Sequence, residues 1–221
     1  MVEPRGVELD SIQIGASDMN EATAAYTLLL AVEPVRLAGE VRRFQLARGA
    51  VELEPGEPGV RSVHFVGERP AGWPDAFHGL TVQLGTRSAL AAAPEAPAID
   101  HVVVRTPAAE RAIRLWRDRL GLRLALDRVF PERGLRLVFF RSGGMTLEFA
   151  TSDPPPADGD APDRFYGVSY RVSDLAACRE RLLGAGVDVS PIRAGMRPGT
   201  SVVTVRSGTA GVPTLLLQAE R

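Results

Sequence analysis

The chain has 221 residues, and its 26 basic and 27 acidic side chains give a formal net charge of −1. Every basic residue is Arg, which excludes Schiff-base catalysis by Lys, a phosphate-binding loop built on Lys, and a Lys general base. The balanced charge predicts no nucleic-acid partner, because phosphate binding needs an excess of positive charge on one face. The apolar fraction of 45% is ordinary for a globular protein.

Cysteine content and hydropathy indicate a compartment. The single cysteine, Cys178, predicts no intrachain disulfide and hence a reducing environment. No apolar run in the sequence approaches the roughly 20 residues that span a bilayer, and the first residues lack a signal-peptide pattern. We therefore predict a cytoplasmic protein with no membrane partner.

Two segments of the chain repeat a strand followed by an amphipathic helix. Residues 10–30 align with residues 100–120 without a gap, and Tyr26 and Trp116 fall at equivalent positions. Each copy opens on a β-branched run that predicts a strand, and an apolar stripe at helical spacing follows it.

Period-two patterns return after each helix, so each copy predicts a βαβββ module. A third copy opens with a strand at residues 166–172, and its helix ends near Gly184. We predict helix N-caps at Ser17, Thr106 and Ser173. The strands predicted after the helices are 35–37, 41–47 and 51–54, then 122–126, 135–141 and 145–149, then 187–189, 201–205 and 214–218, with Gly143 and Gly144 forming the turn of one hairpin.

Two other regions separate the copies. Residues 153–163 are rich in Pro and Asp and predict a flexible connector. Residues 60–84 predict two strands without a helix, and the second of them resembles residues 166–172, as the start of a fourth module that has lost its helix.

These patterns predict an α+β fold and a division of the chain. Residues 1–90 would form the N-terminal module with two extra strands, and residues 91–98 a linker. Residues 99–221 would form a domain of two modules.

The repeated modules resemble the vicinal oxygen chelate superfamily, which includes glyoxalase I, bleomycin-resistance proteins, extradiol dioxygenases and methylmalonyl-CoA epimerase. The stretches that carry the resemblance are I-D-H-V-V-V at residues 99–104, W-R-D-x-L-G-L at 116–122, residues 143–149, and Y-R-V-S-D-L at 170–175. The resemblance implies curved mixed sheets of the glyoxalase type, paired so that two modules form a bowl for a small-molecule ligand.

In that superfamily a divalent metal is held by the first and last strands of the modules. The resemblance places His101 and Glu148 at these positions in the second copy, a pair that suits Zn, Fe, Mn, Ni or Co. The third copy has Gly167 and Leu215 there, and neither can ligate. The implied metal set is therefore incomplete.

The first copy and the region without a helix offer further candidate ligands. The first copy has Ser11 and Glu54 at the equivalent positions, with Gln13 nearby. We consider His64, His78 and Gln13 as candidates for an additional ligand.

The third copy offers candidate ligand-binding residues. Ser169 and Arg171 share the strand face that is expected to line the bowl, and Arg171 suits a carboxylate or phosphate. Tyr170 is the further polar contact that we predict for a ligand in the bowl.

Three functions remain open at this point. The first is a metal-dependent lyase, isomerase or dioxygenase that acts on a small oxygenated substrate. The second is a metal-free binding protein of the bleomycin-resistance type. The third is a metal-free enzyme that uses His101 and Glu148 as acid and base. An odd number of modules leaves one sheet uncovered, which predicts a homodimer.

Overall fold

The computed structural model describes residues 7–220. No helix within those residues is long and apolar enough to cross a membrane. The elements are β1 (Glu8–Ala16), α1 (Met19–Leu30), β2 (Val35–Arg36), β3 (Arg42–Gln45), β4 (Ala50–Pro55), β5 (Gly59–Val66), β6 (Thr81–Gly85), β7 (Ala98–Arg105), α2 (Ala109–Ile113) continuing as a π-helical turn (Arg114–Arg119), β8 (Arg123–Phe130), a 3₁₀ turn (Pro131–Arg133), β9 (Leu135–Ser142), β10 (Met145–Ser152), β11 (Arg164–Arg171), α3 (Leu175–Gly184), β12 (Arg193–Ala194), β13 (Thr200–Val205) and β14 (Thr214–Ala219).

Three βαβββ modules occur in the predicted order, which confirms the α+β class. The strands belong to two mixed sheets, with β1 to β6 in one and β7 to β14 in the other. Within each module the strand order is second, third, fourth, first. The first and fourth strands of every module are therefore neighbours, and they run parallel. Parallel neighbours need a crossover connection, and in each module the chain between the first and fourth strands provides it with the helix and the two middle strands.

The strands β5 and β6 form a reduced fourth module. They pair in parallel, with His64 opposite Gln83, as the first and fourth strands of a complete module do. The segment near residue 80 therefore ends this module, and the interpretation that it begins one is wrong. The helix and the two middle strands of a complete module are missing between β5 and β6.

A loop of aromatic residues takes the place of the missing helix. Trp73 lies edge-on to both Phe65 of β5 and Phe77, with ring centroids 6.3 Å and 5.1 Å apart. Phe77 in turn packs against Trp116, at 5.5 Å. Aromatic side chains bury a large apolar area each, so a few of them can cover a strand that has no helix.

The chain forms two compact units, and each is assembled from three segments. Unit 1 contains the described residues up to Asp10 together with Ser62–Ser88 and His101–Tyr166. Unit 2 contains Ser11–Arg61, Ala89–Asp100 and the described residues from Gly167 onward. Both units are discontinuous in sequence, and the linear division around residues 91–98 stays a prediction.

The helix N-caps lie beside the predicted ones. Asp18 caps α1 by accepting hydrogen bonds from two backbone N–H groups, and Asp174 caps α3. Each follows the predicted Ser17 or Ser173 by one residue. Both residue types accept these bonds, but a carboxylate also interacts favourably with the positive end of the helix. The third predicted cap, Thr106, accepts a bond from the N–H of Ala108, and α2 begins after it.

The connector at residues 153–163 makes several contacts near its C-terminal end, and its flexibility stays a prediction. Arg111 of α2 donates hydrogen bonds to the carbonyl oxygens of Gly159 and Ala161 and to the Asp163 carboxylate. Asp163 is 1% exposed, and its N–H donates to the carbonyl oxygen of His78. One guanidinium thus satisfies several acceptors of a segment that lacks regular structure.

Candidate functional site

The sheet of the second module has one face packed against its helix. On that side Val102, Val104 and Phe149 are buried, and Phe149 contacts Trp116 at a centroid distance of 5.7 Å. We call the opposite face the distal face. Strand register arranges its residues in three rows: His101, Thr146, Arg141 and Arg123 in the first, Val103, Glu148, Phe139 and Leu126 in the second, and Arg105, Ala150, Leu137 and Arg128 in the third.

The two predicted metal-ligand positions of the second module meet on this face. The His101 Nε2 atom lies 3.6 Å from Glu148 Oε2, and the side chains are 18% and 16% exposed. This distance is longer than a hydrogen bond. It is short enough for both atoms to contact one small ligand.

The equivalent positions of the third module cannot complete a metal site. Leu215 lies opposite Ser169 as Glu148 lies opposite Val103, so the register agrees with the predicted equivalence. At Gly167 an added Cβ atom would lie 2.5 Å from the carbonyl oxygen of Pro213. Backbone packing thus excludes any ligating side chain at that position.

The first module fills its equivalent site with an ion pair. Gln13 lies opposite Glu52 in the register, as Val103 lies opposite Glu148, so Glu52 is the equivalent of Glu148. The assignment to Glu54 is therefore wrong by two residues. The Arg43 guanidinium donates to the Glu52 carboxylate at 2.5 Å, and both residues are buried. Gln13 Nε2 lies 3.4 Å from the same carboxylate. Here an arginine supplies the positive charge beside the carboxylate.

The candidates for an additional metal ligand lie on different elements of the chain. His64 is in β5, and His78 is exposed in the loop before β6 with a positive φ of 53°. Gln13 belongs to unit 2, whereas His101 and Glu148 belong to unit 1. Residues 7–220 contain no group of three or more His, Cys, Asp or Glu side chains that could hold a metal ion.

The donor set of the described residues does not fit a resident catalytic metal. Three protein ligands are the norm for such a metal, and the second module brings two together. The backbone contact at Gly167 blocks a third donor at the corresponding position of the third module. The ligand roles of His101, Glu148, His64, His78 and Gln13 stay predictions.

The predicted ligand-binding residues of the third module lie on two faces of β11. Tyr170 is fully buried, and burial raises the pKa of its phenol well above the ordinary value. Ser169 is also buried, on the opposite face of the strand. Arg171, on the same face as Ser169, donates a hydrogen bond to the Asp100 carboxylate. Contact of these three residues with a ligand stays a prediction.

Arg141 and Phe139 also lie on the distal face, and they were not predicted as site residues from the sequence. A signal for them was present, because a two-residue turn at Gly143 and Gly144 fixes the hairpin register. That register pairs Glu148 with Phe139 and therefore puts both side chains on one face.

Comparison with known proteins agrees with this architecture. Residues 100–204, just under half of the chain, match the Glyoxalase/Bleomycin resistance protein/Dioxygenase superfamily. A triple mutant of 4-hydroxymandelate synthase from Streptomyces coelicolor is similar in fold, with a TM-score of 0.74 and 12% identity over 96% of this chain and 92% of that one. The Mn(II)-bound glyoxalase from Novosphingobium aromaticivorans gives a TM-score of 0.70 and 16% identity over 97% and 82%. No curated protein matches the sequence.

The repeated modules and their strand order are those of the vicinal oxygen chelate fold, which this chain shares with the two solved structures. Residues 100–204 are also similar to that superfamily in sequence. At these identities the solved structures establish a shared fold, and the fold hosts many chemistries.

Proposed function

We propose that the protein binds a small molecule on the distal face of the second module and that it does so without a resident metal. The observation that carries this proposal is the largely buried pair of His101 and Glu148 beside an apolar row. The matching positions of the third module hold Gly167 and Leu215 instead of ligands.

The distal face has the composition of a ligand site. Val103, Phe139 and Leu126 lie in the row of Glu148, and all three are partly exposed. Ligand sites in proteins combine a mostly apolar surface with a few polar groups that fix orientation. His101 and Glu148 supply such groups, and they could also transfer a proton to or from a bound molecule.

A metal-dependent enzyme is the second candidate function. The separation of 3.6 Å between His101 Nε2 and Glu148 Oε2 suits two ligands of one ion, because each donor binds a metal such as Zn²⁺ at about 2.0–2.2 Å. A bound divalent metal would act there as a Lewis acid on oxygen atoms of a substrate. This candidate needs a third donor that the described second and third modules do not offer at the equivalent positions.

Metal binding separates the two candidates. The purified protein and its His101→Ala and Glu148→Gln variants are analysed for metal content and titrated with Mn²⁺, Zn²⁺ and Ni²⁺ by calorimetry. We expect no stoichiometric metal in the wild-type protein and no difference among the three proteins. One equivalent of metal that both variants lose would overturn the metal-free proposal.

Ligand binding tests the proposal directly. Neutral and charged aromatic fragments are screened by ligand-observed NMR against protein treated with EDTA. We expect binding that Phe139→Ala weakens and that Leu183→Ala, at an exposed position of α3, leaves unchanged. A wild-type protein that binds fragments only after a metal is added would refute metal-free binding.

We also propose that the protein is cytoplasmic and homodimeric. The reduced module formed by β5 and β6 removes the odd module count that first suggested a dimer. The homodimer is therefore tested by measuring the mass of the protein in solution by light scattering. A mass of one chain would refute it.

A further inference from the structure

We infer that the ligand of the distal face is an organic anion with an apolar body, held by Arg141 through its carboxylate or phosphate group. This inference rests on the proposed function and names the chemical class of the molecule bound there.

The charge of the distal face favours an anion. Its three rows contain one carboxylate, that of Glu148. The same rows contain four arginines, which are Arg105, Arg123, Arg128 and Arg141. The acidic residue Asp127 of β8 points to the other face, where it binds Arg136. A surface with this excess of one sign attracts molecules of the opposite charge.

Arg141 is the arginine best placed to orient an anion. It is partly buried, whereas Arg105, Arg123 and Arg128 are exposed. Residues 7–220 form no hydrogen bond or ion pair with its guanidinium. The Arg105 guanidinium, by contrast, lies 3.9 Å from the centre of the Tyr166 ring. A guanidinium presents a planar fork of donors that matches the oxygens of a carboxylate or phosphate.

The first row provides further contacts for the anionic group. Arg141 and His101 flank Thr146, one on each neighbouring strand. Two strand spacings separate their backbones by about 10 Å, so both side chains can reach an anion placed over Thr146. His101 Nε2 then donates from the side opposite to Arg141 when that nitrogen carries a proton.

The second row provides the apolar contacts. Phe139 lies beside Glu148, and Leu126 lies beyond it on β8; both are partly exposed. Leu137 of the third row is buried and offers no surface to a ligand. An anion held in the first row therefore places its organic part over an aromatic and aliphatic surface. Burial of that part favours an aromatic or branched body over a small inorganic ion.

The test compares three probes of similar shape by calorimetry at low ionic strength: benzoate, phenyl phosphate and neutral benzyl alcohol. We expect at least one anion to bind more tightly than benzyl alcohol. Arg141→Gln should weaken that anion about tenfold or more, the loss typical of a charge-assisted hydrogen bond, and leave benzyl alcohol unchanged. The two anionic arms show whether a carboxylate or a phosphate is preferred.

A matched control uses Arg117→Gln, since Arg117 is exposed on the π-helical turn and pairs with Asp118. This variant should bind all three probes as the wild-type protein does. Equal affinity for benzyl alcohol and the anions, or an Arg141→Gln variant with unchanged anion affinity, would overturn the inference while small-molecule binding stands. If none of the three probes binds to the wild-type protein, the proposed function fails as well.

Discussion

The buried ion pair of the first module allows the cost of leaving a buried carboxylate unpaired to be measured. Arg43 is 4% exposed and Glu52 is 8% exposed, so neither charge is well hydrated. Replacing Arg43 by Met keeps most of the side-chain volume but leaves the carboxylate without its cation. Breaking a buried pair in this way costs about 3–5 kcal/mol of unfolding free energy. In a chain of this length the melting temperature should fall by about 6–20 °C.

The assay is urea denaturation followed by circular dichroism. The double variant Arg43→Met/Glu52→Leu replaces the pair by apolar groups, and it should recover most of the loss because no charge stays buried. The control Arg117→Met breaks an exposed pair with Asp118 and should leave the urea midpoint almost unchanged, because exposed ion pairs contribute little to stability. The reasoning is wrong if Arg43→Met costs no more than the control, or if the double variant loses as much as both single variants together.

Two further predictions concern local packing and acid stability. Gly167→Ala should lower the unfolding free energy by about 1–3 kcal/mol, because the added methyl group would contact the Pro213 carbonyl oxygen. Gly184→Ala, with open space around it, should be neutral or stabilising. Equal urea midpoints for the two variants would contradict this. The Arg136 guanidinium lowers the pKa of Asp127, so Asp127→Asn should cost less than about 1 kcal/mol at pH 7. The difference should shrink as the pH falls through about 4 and vanish below the lowered pKa of Asp127. A difference that grows on acidification would show that the sign is wrong.

Periodicity and the repeat predicted the three modules because their elements have strong local signals. Alternating apolar residues mark the strands, and the stripe that contains Trp116 marks the second helix. The aligned repeat then supplied the equivalences, including His101 with Gly167, which agree with the observed register of the third module. Local pattern and internal symmetry were sufficient for the modules as units. The second strand of the third module is β12 at Arg193–Ala194, so the prediction of a strand at residues 187–189 is wrong.

The features that the sequence did not reveal depend on contacts between distant residues. Glu52 and Glu54 share a strand face, and only the pairing of β1 with β4 selects Glu52. Composition predicted a flexible connector, and it did not reveal the bonds that Arg111 makes with Gly159, Ala161 and Asp163. The strand that contains Tyr170 has two faces, and its pattern did not show that this side chain points into the core.

The composition of the two units constrains when each can form during synthesis. In unit 1, Phe65 and Phe77 contact Trp116, which the ribosome adds about forty to fifty residues later in the chain. Unit 2 joins Ser11–Arg61 to the segment that begins at Gly167, so its first segment waits until the residues after Gly167 have been made. Contacts of such long sequence separation form slowly, since a large loop must close first. Nascent chains arrested before residue 160 should therefore be sensitive to protease, and the reduced module should gain protection only after the second module has emerged.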